Sequence, residues 1–249
     1  MRFAVIDVET RVDKELLAET FFVGQGLSPD EAYLRQAEKL KAQRGSDFFP
    51  LPLHRPVSAA VGGVAEDYSL VSVESLAASD YSEETLVREF WDRLGYLAQS
   101  AGQRVRPCLV TFNGRRFDLP VMELAALRHQ LALARYFDGR SSPRARYSEE
   151  SHIDLLDFVT NYGAFALAGG MNLLLKMIGL RGKGGIDGSM VQQIYEAGRL
   201  AEIHRYCRED VIQTYFLLLR VQRLRGRLDE KQYQAAWEKS RPFLEQLDH

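Results

Sequence analysis

The run Phe3-Ala-Val-Ile-Asp-Val-Glu9 constrains the fold of this chain more than any other feature. Four apolar residues lead into two carboxylates two positions apart, followed by Thr10. Such a run reads as a buried strand. Residues i and i+2 project from one face of a strand, so Asp7 and Glu9 share a side and can meet one cation. Carboxylates at the end of a buried strand need compensation. A cap or a salt-bridged pair would also supply it, and the pattern alone leaves that alternative open.

With 249 residues, 46% hydrophobic and 27% charged, the chain has the composition of one elaborated globular domain or two small ones. That excludes a collagen, a coiled-coil rod and a wholly disordered chain. A membrane span needs about 20 apolar residues, and the most apolar stretch, 163–180, is interrupted by Asn172 and Lys176. Too few apolar residues precede Asp7 for a secretory segment. Cys108 and Cys207 lack CxxC spacing and sit in apolar surroundings, which favours reduced thiols and a cytoplasmic location.

Net charge is −2, but residues 1–103 carry −7 and the remainder +5. Arginine outnumbers lysine 25 to 7, and nine arginines against three acids lie between Arg104 and Arg146. The fork-shaped donor set of arginine suits phosphate, while a solvated face is the alternative reading.

Between the first strand and a Pro-rich segment, residues 11–56 read as an insertion. Ser28-Pro29-Asp30-Glu31 has the signature of a capped helix start, with a helix running to Gly45. Residues 48–56 contain three prolines and read as irregular. Strands follow at 57–64, 69–73 and 105–112, with a helix from Ser82 and another over 119–133. Residues 152–158 form a short strand or helix start. Helices then cover 171–178, 190–197 and 200–225, with a C-terminal helical extension at 228–249. This order predicts a mixed sheet covered by helices, in a single domain spanning 1–249.

Two further patterns join Asp7-x-Glu9. Asn113-Gly-Arg-Arg-Phe-Asp118 ends at a strand-to-helix junction, where Asp118 could equally be an N-cap. Tyr206-Cys-Arg-Glu-Asp210 puts a phenol and a carboxylate on one helix face at i,i+4. Each is common alone; the three in this order are rare.

Together they resemble Exo I, Exo II and Exo III of the DEDD 3′→5′ exonucleases, in the subtype with tyrosine in Exo III. The likeness is closest to stand-alone exonucleases related to the proofreading domain of family B DNA polymerases. It extends over the run Pro50 to Ala60, Asn113 to Pro120, His152-x-Asp154-Leu155 and the Gly-rich stretch from Gly182 to Gly188. The histidine subtype is out of register, since Arg205 stands where its histidine belongs.

The resemblance implies an RNase H-like α/β fold with a mixed five-stranded sheet and a helical insertion after the first strand. It also implies two divalent ions. Asp7, Glu9 and Asp210 would bind one, Asp7 would also bind the second with Asp118 holding it directly or through water, and Tyr206 would orient the attacking water. Hard oxygen ligands independently favour Mg²⁺ or Mn²⁺ over zinc, and such a pair can activate water and stabilise a leaving 3′-oxygen. The implied substrate is a 3′ end of single-stranded nucleic acid, DNA before RNA. Thr10, Asn113, Arg115, Arg116, Phe117 and Lys183 are the expected substrate-binding residues. Phe117 either stacks on a terminal base or packs on the core, and Asp154 is expected behind the ligands. Asp187 or Ser189 either caps the next helix or, with Lys183, approaches phosphates. No membrane contact is implied, and protein partners are unspecified. The alternative class is a non-catalytic nucleic-acid-binding or scaffold module keeping the fold, which loss of a carboxylate would favour; all four carboxylates are present.

Overall fold

The computed structural model describes residues 1–79, 81–97, 106–139, 142–182 and 187–248. Strand β1 (Phe3–Val12) is the middle of a five-stranded sheet. On one side it pairs antiparallel with β2 (His54–Val64), which pairs antiparallel with β3 (Leu70–Ser75). On the other it runs parallel to β4 (Cys108–Thr111), which runs parallel to β5 (His152–Asp154). The order β3-β2-β1-β4-β5 is the mixed sheet the motifs implied.

Both β1 and β2 reach further than the sequence suggests. Val12 pairs with His54 and Thr10 with Pro56, so the insertion proper lies between these rungs. The Pro-rich segment is therefore only partly irregular: a 3₁₀ turn over Leu51–Leu53 feeds directly into β2. Pairing jumps from Ser58 to Pro56 between Glu9 and Thr10, leaving Val57 as the extra residue of a bulge. A bulge tolerates a proline, whose missing N–H would break a regular ladder.

The insertion holds α1 (Lys14–Phe21) and α2 (Pro29–Arg44). The capping box at Ser28 forms as its sequence predicts: Ser28 Oγ accepts from the Glu31 N–H and Glu31 Oε2 from the Ser28 N–H. Leu17, Leu40, Phe49, Leu53 and Val12 bury a small core of their own.

Helices cover both faces of the sheet. α3 (Glu83–Arg93) and α4 (Asp118–Arg128) bury Ala4, Ile6, Leu109, Phe90, Trp91 and Met122 on one side. The other face is covered by α8 (Leu200–Leu224), reached through α5 (Leu155–Val159), α6 (Gly170–Met177) and α7 (Val191–Glu196). It buries Phe3, Val5 and Val110 against Val211, Tyr215 and Phe216. Helix and sheet approach closely here: a Cβ on Gly62 would stand 2.7 Å from Val211 Cγ1. Finally α9 (Glu230–Glu245) is tied into this layer, because Ser240 Oγ accepts from the Leu70 N–H and pairs with the Tyr215 hydroxyl. Among the described residues, no helix is long and apolar enough to cross a membrane. Both cysteines are free thiols.

Candidate active site

Alternation along β1 decides where the site forms. Ala4, Ile6 and Val8 join the α3/α4 layer and Phe3 and Val5 the α8 layer. Asp7 and Glu9 keep the parity of Phe3 and Val5, so they face α8. That helix carries Asp210 opposite them and Tyr206 one turn earlier. Asp7, Glu9 and Asp210 each offer a carboxylate oxygen within 4.8 Å of the others. Glu9 is only 8% exposed and Asp210 3%. Like charges this close repel unless a cation lies between them. Three oxygen donors of this hardness fit Mg²⁺ or Mn²⁺. The neighbouring Cys207 thiol donates to the Asp7 carbonyl at 3.3 Å. Burial and the adjacent carboxylates push its pKa well up. In the metal-free protein it stays protonated, and hard cations prefer the carboxylate oxygens to its sulfur.

Asp118, at the start of α4 in the opposite layer, stands outside that group of three but near enough to feel the Asp210 charge. Pairing of β1 with β4 ends at Val5 and Val110, which leaves the Val8 N–H without a strand partner. Asp118 Oδ1 accepts that N–H at 2.9 Å. Asp118 is the first residue of α4 and Phe117 its N-cap, so Asp118 is not the N-cap its sequence position allowed. Burial, and the nearby Asp154 and Asp210 charges, push its pKa up to about 7.

Tyr206 is buried, and its hydroxyl hydrogen-bonds Asp210. Burial and the charges of Asp210, Glu9 and Asp7 raise its pKa far above that of a free phenol. The hydroxyl keeps its proton and acts as a donor. His204, one residue out of register for the histidine subtype, is occupied elsewhere: its Nδ1 lies 2.8 Å from Ser58 Oγ.

The Asn113–Phe117 turn is held by Asp154, whose carboxylate accepts the N–H groups of Asn113 (2.9 Å) and Arg115 (2.8 Å). The same carboxylate caps α5 through Leu156 N. Asp154 thus shapes the loop that delivers Asp118 and stands behind the cluster. Asn113 adopts a φ of +68°, which asparagine tolerates better than most residues. Gly114 is required by crowding, since a Cβ there would come within 2.5 Å of Thr111.

The expected substrate-binding residues separate into distinct situations. Arg115 is committed to the fold: its Nε lies 3.2 Å from Asp157 Oδ2 and its Nη1 donates to the Pro143 carbonyl at 3.0 Å. Arg116 is exposed and borders a cavity of about 380 Å³ with Arg144, Arg146 and Glu123. Arg144 is partly engaged by Glu123 at 3.6 Å. Thr10 Oγ1 lies 2.8 Å from His54 Nδ1. Phe117 packs edge-on against His54 and Phe48. Lys183 and Arg140 lie outside the described residues. Asp187 accepts from the Ser189 N–H at 2.8 Å and so caps the 3₁₀ turn Gly188–Met190. Sequence reasoning assigned no role to His54 or Phe48; two adjacent phenylalanines in a Pro-rich segment were the only signal of an aromatic cluster.

The sequence profile of a family described as a predicted 3′-5′ exonuclease related to the exonuclease domain of PolB matches residues 46–249. The chain belongs to this exonuclease family. The match contains Asp118, Tyr206 and Asp210, and begins after Asp7 and Glu9. The fold is also similar to that of the family B DNA polymerase from the hyperthermophilic archaeon Pyrobaculum calidifontis, at 15% identity and a TM-score of 0.55. That alignment covers 89% of this chain and 24% of the polymerase, so the chain spans about a quarter of the protein it matches. An ExoI/SSB-Ct complex aligns over 91% of this chain and 46% of its own, at 13% identity and a TM-score of 0.38. No curated protein matches the chain.

Proposed function

We propose that this member of the exonuclease family removes nucleotides from the 3′ ends of single-stranded nucleic acid by a two-metal-ion mechanism, with residues 1–249 as one catalytic domain. The observation that carries the reading is the convergence of Asp7, Glu9 and Asp210 within 4.8 Å, beside the buried Asp118. The family's relation to the PolB exonuclease domain supports DNA over RNA.

In this reading Asp7, Glu9 and Asp210 hold one divalent cation, and Asp7 with Asp118 holds a second. When bound, two Mg²⁺ or Mn²⁺ ions activate water and stabilise the leaving 3′-oxygen. The Asp210 carboxylate is oriented by the Tyr206 hydroxyl, whose one proton is engaged there, so Tyr206 would position the attacking water by accepting a hydrogen bond from it through its oxygen. Asp118 is aimed by the Val8 N–H, and the loop that carries it by Asp154. Arg116, exposed and two residues from Asp118, would offset the repulsion between the carboxylates and the substrate phosphates. Thr10, Asn113, Phe117 and Lys183 remain the other proposed substrate contacts, and Arg115 acts by supporting the turn.

The test is a time course on 5′-labelled DNA and RNA strands with Mg²⁺, Mn²⁺ or EDTA. Stepwise shortening from the 3′ end with either metal and none with EDTA is the expected outcome. Persistence of full-length strands with both metals would overturn the reading.

A further inference from the structure

We propose that Arg116, Arg144 and Arg146, with the rings of Phe137 and Tyr147, form a track for the part of the single strand that lies 5′ of the nucleotide being removed. This role rests on the exonuclease reading and adds how much of the strand the protein holds.

The arginine-rich stretch from 104 to 146 divides in the structure. Arg106 donates to the Arg135 carbonyl at 2.6 Å, Arg115 pairs with Asp157 at 3.2 Å, and Arg128 with Glu83 at 2.5 Å. These three guanidinium groups are taken up by the fold. Arg116, Arg144 and Arg146 are exposed instead, and all three line the cavity of about 380 Å³ beside α4. Leu119 and Pro120, which follow Asp118 in the chain, form another of its walls. The cavity therefore opens beside the turn that delivers a proposed metal ligand. Four arginines against the carboxylates of Glu123 and Asp157 leave its lining at +2.

Exposed rings accompany these cations. Phe137 is 51% exposed and Tyr147 75%. The Arg144 guanidinium lies 5.4 Å from the centre of the Phe137 ring, and that of Arg146 5.8 Å from Tyr147. A ring beneath a guanidinium orders the side chain without neutralising it, so the N–H edge can still meet a phosphate. Positive charge for a backbone, with rings beside it for bases, is the pattern of a single-strand groove. An acidic protein surface would use the charge and leave the rings without a purpose.

The segment that carries Arg144 is held against α4. The Tyr136 hydroxyl donates to Glu123 at 2.7 Å, Ser142 Oγ donates to the Tyr136 carbonyl at 2.7 Å, and the Arg144 N–H donates to Ser142 Oγ at 3.2 Å. Arg115 fixes the same segment through the Pro143 carbonyl. The track is thus built before a strand arrives.

Its direction follows from the reaction. Removal of one nucleotide at a time leaves a single nucleotide on the 3′ side of the scissile phosphate and the whole remaining strand on the other. One nucleotide brings one phosphate and one base, fewer than three arginines and two rings can hold. The surface therefore serves the remaining strand, and Arg116, two residues from Asp118, joins it to the cleft.

The experiment uses the whole chain in Ca²⁺ and two strands with the same 3′ sequence, one of about 4 nucleotides and one of about 12. The double variant Arg144→Gln, Arg146→Gln should bind the long strand about 25-fold more weakly than the parent at about 0.1 M salt, with a log–log salt slope shallower by about 1.4, the effect of two lost phosphate contacts. On the short strand, which ends before the track, the two proteins should bind alike. Arg144→Lys with Arg146→Lys, which keeps the charge, should keep the slope. Tyr147→Ala should bind the long strand about 10-fold more weakly, and should match the parent on a long strand made abasic outside its 3′ portion. The thermal midpoint should hold in every variant, since the substituted side chains are exposed. Equal weakening on both lengths, or none on the long strand, overturns the track while leaving the exonuclease reading intact. A parent that neither binds nor shortens any strand overturns both.

Discussion

Asp7, Glu9 and Asp210 stand on β1 and α8, regular elements whose periods alone decide which way the side chains point. Arg115 and Arg116 stand in a turn, where neighbours in sequence diverge. One arginine is fixed by Asp157 and the Pro143 carbonyl and the other is exposed. Both regions border the proposed substrate path, and both look equally charged in the sequence. The difference is one of commitment. Carboxylates brought together by a strand and a helix repel one another, so their grouping works against stability until a cation joins them. An arginine paired with a buried aspartate is part of the fold.

The sharpest way to break this comparison is Asp7→Ala. Hydrolysis should fall to background, while the thermal midpoint of the metal-free protein should hold or rise as repulsion is relieved. A fall in the midpoint without Mg²⁺ would mean that the cluster is structural. In the parent, Ca²⁺ should support strand binding with little cleavage, because its looser coordination serves in-line attack poorly.

Tyr206→Phe is the next largest expected effect. Turnover should drop by about 10–1000-fold, with strand affinity in Ca²⁺ nearly unchanged. An equal loss of Mg²⁺ affinity would mean that orienting Asp210, and not positioning water, is the whole contribution of the hydroxyl.

The two arginines should then separate. Arg115→Ala leaves Asp157 buried and uncompensated and should cost about 2–3 kcal/mol in chemical denaturation. Arg116→Ala should leave stability within about 0.5 kcal/mol. It should instead weaken single-strand binding in Ca²⁺ and reduce the log–log salt slope by about 0.7, the signature of one phosphate contact. A stability loss at Arg116, or an undiminished salt slope, would erase the distinction between the neighbours.

The legible parts of this molecule are those governed by short periods and local chemistry. The β1 alternation, the Ser28 capping box and the i,i+4 pair Tyr206 and Asp210 follow from geometry within a few residues. The illegible parts depend on partners distant in sequence. Nothing around Pro56 announces that a bulge opposite Glu9 and Thr10 lets a strand begin at His54. The inward turn of Arg115 depends on Asp157 and Pro143, and the exposure of Phe48 on burial of Phe49 against Tyr33. Asp118 was legible as to type but open as to role, because its partner, the Val8 N–H, exists only where pairing with β4 has run out.

The insertion leaves the sheet at Val12 and returns at His54, which are opposite each other on one rung of the ladder. Its two ends are therefore already closed by strand pairing, and whatever lies between them can lengthen, shorten or be replaced at little entropic cost to the sheet. A change in this segment therefore need not disturb the register of β1, on which Asp7 and Glu9 stand, and the rung of Val12 and His54 is the natural place for an engineer to graft a different one.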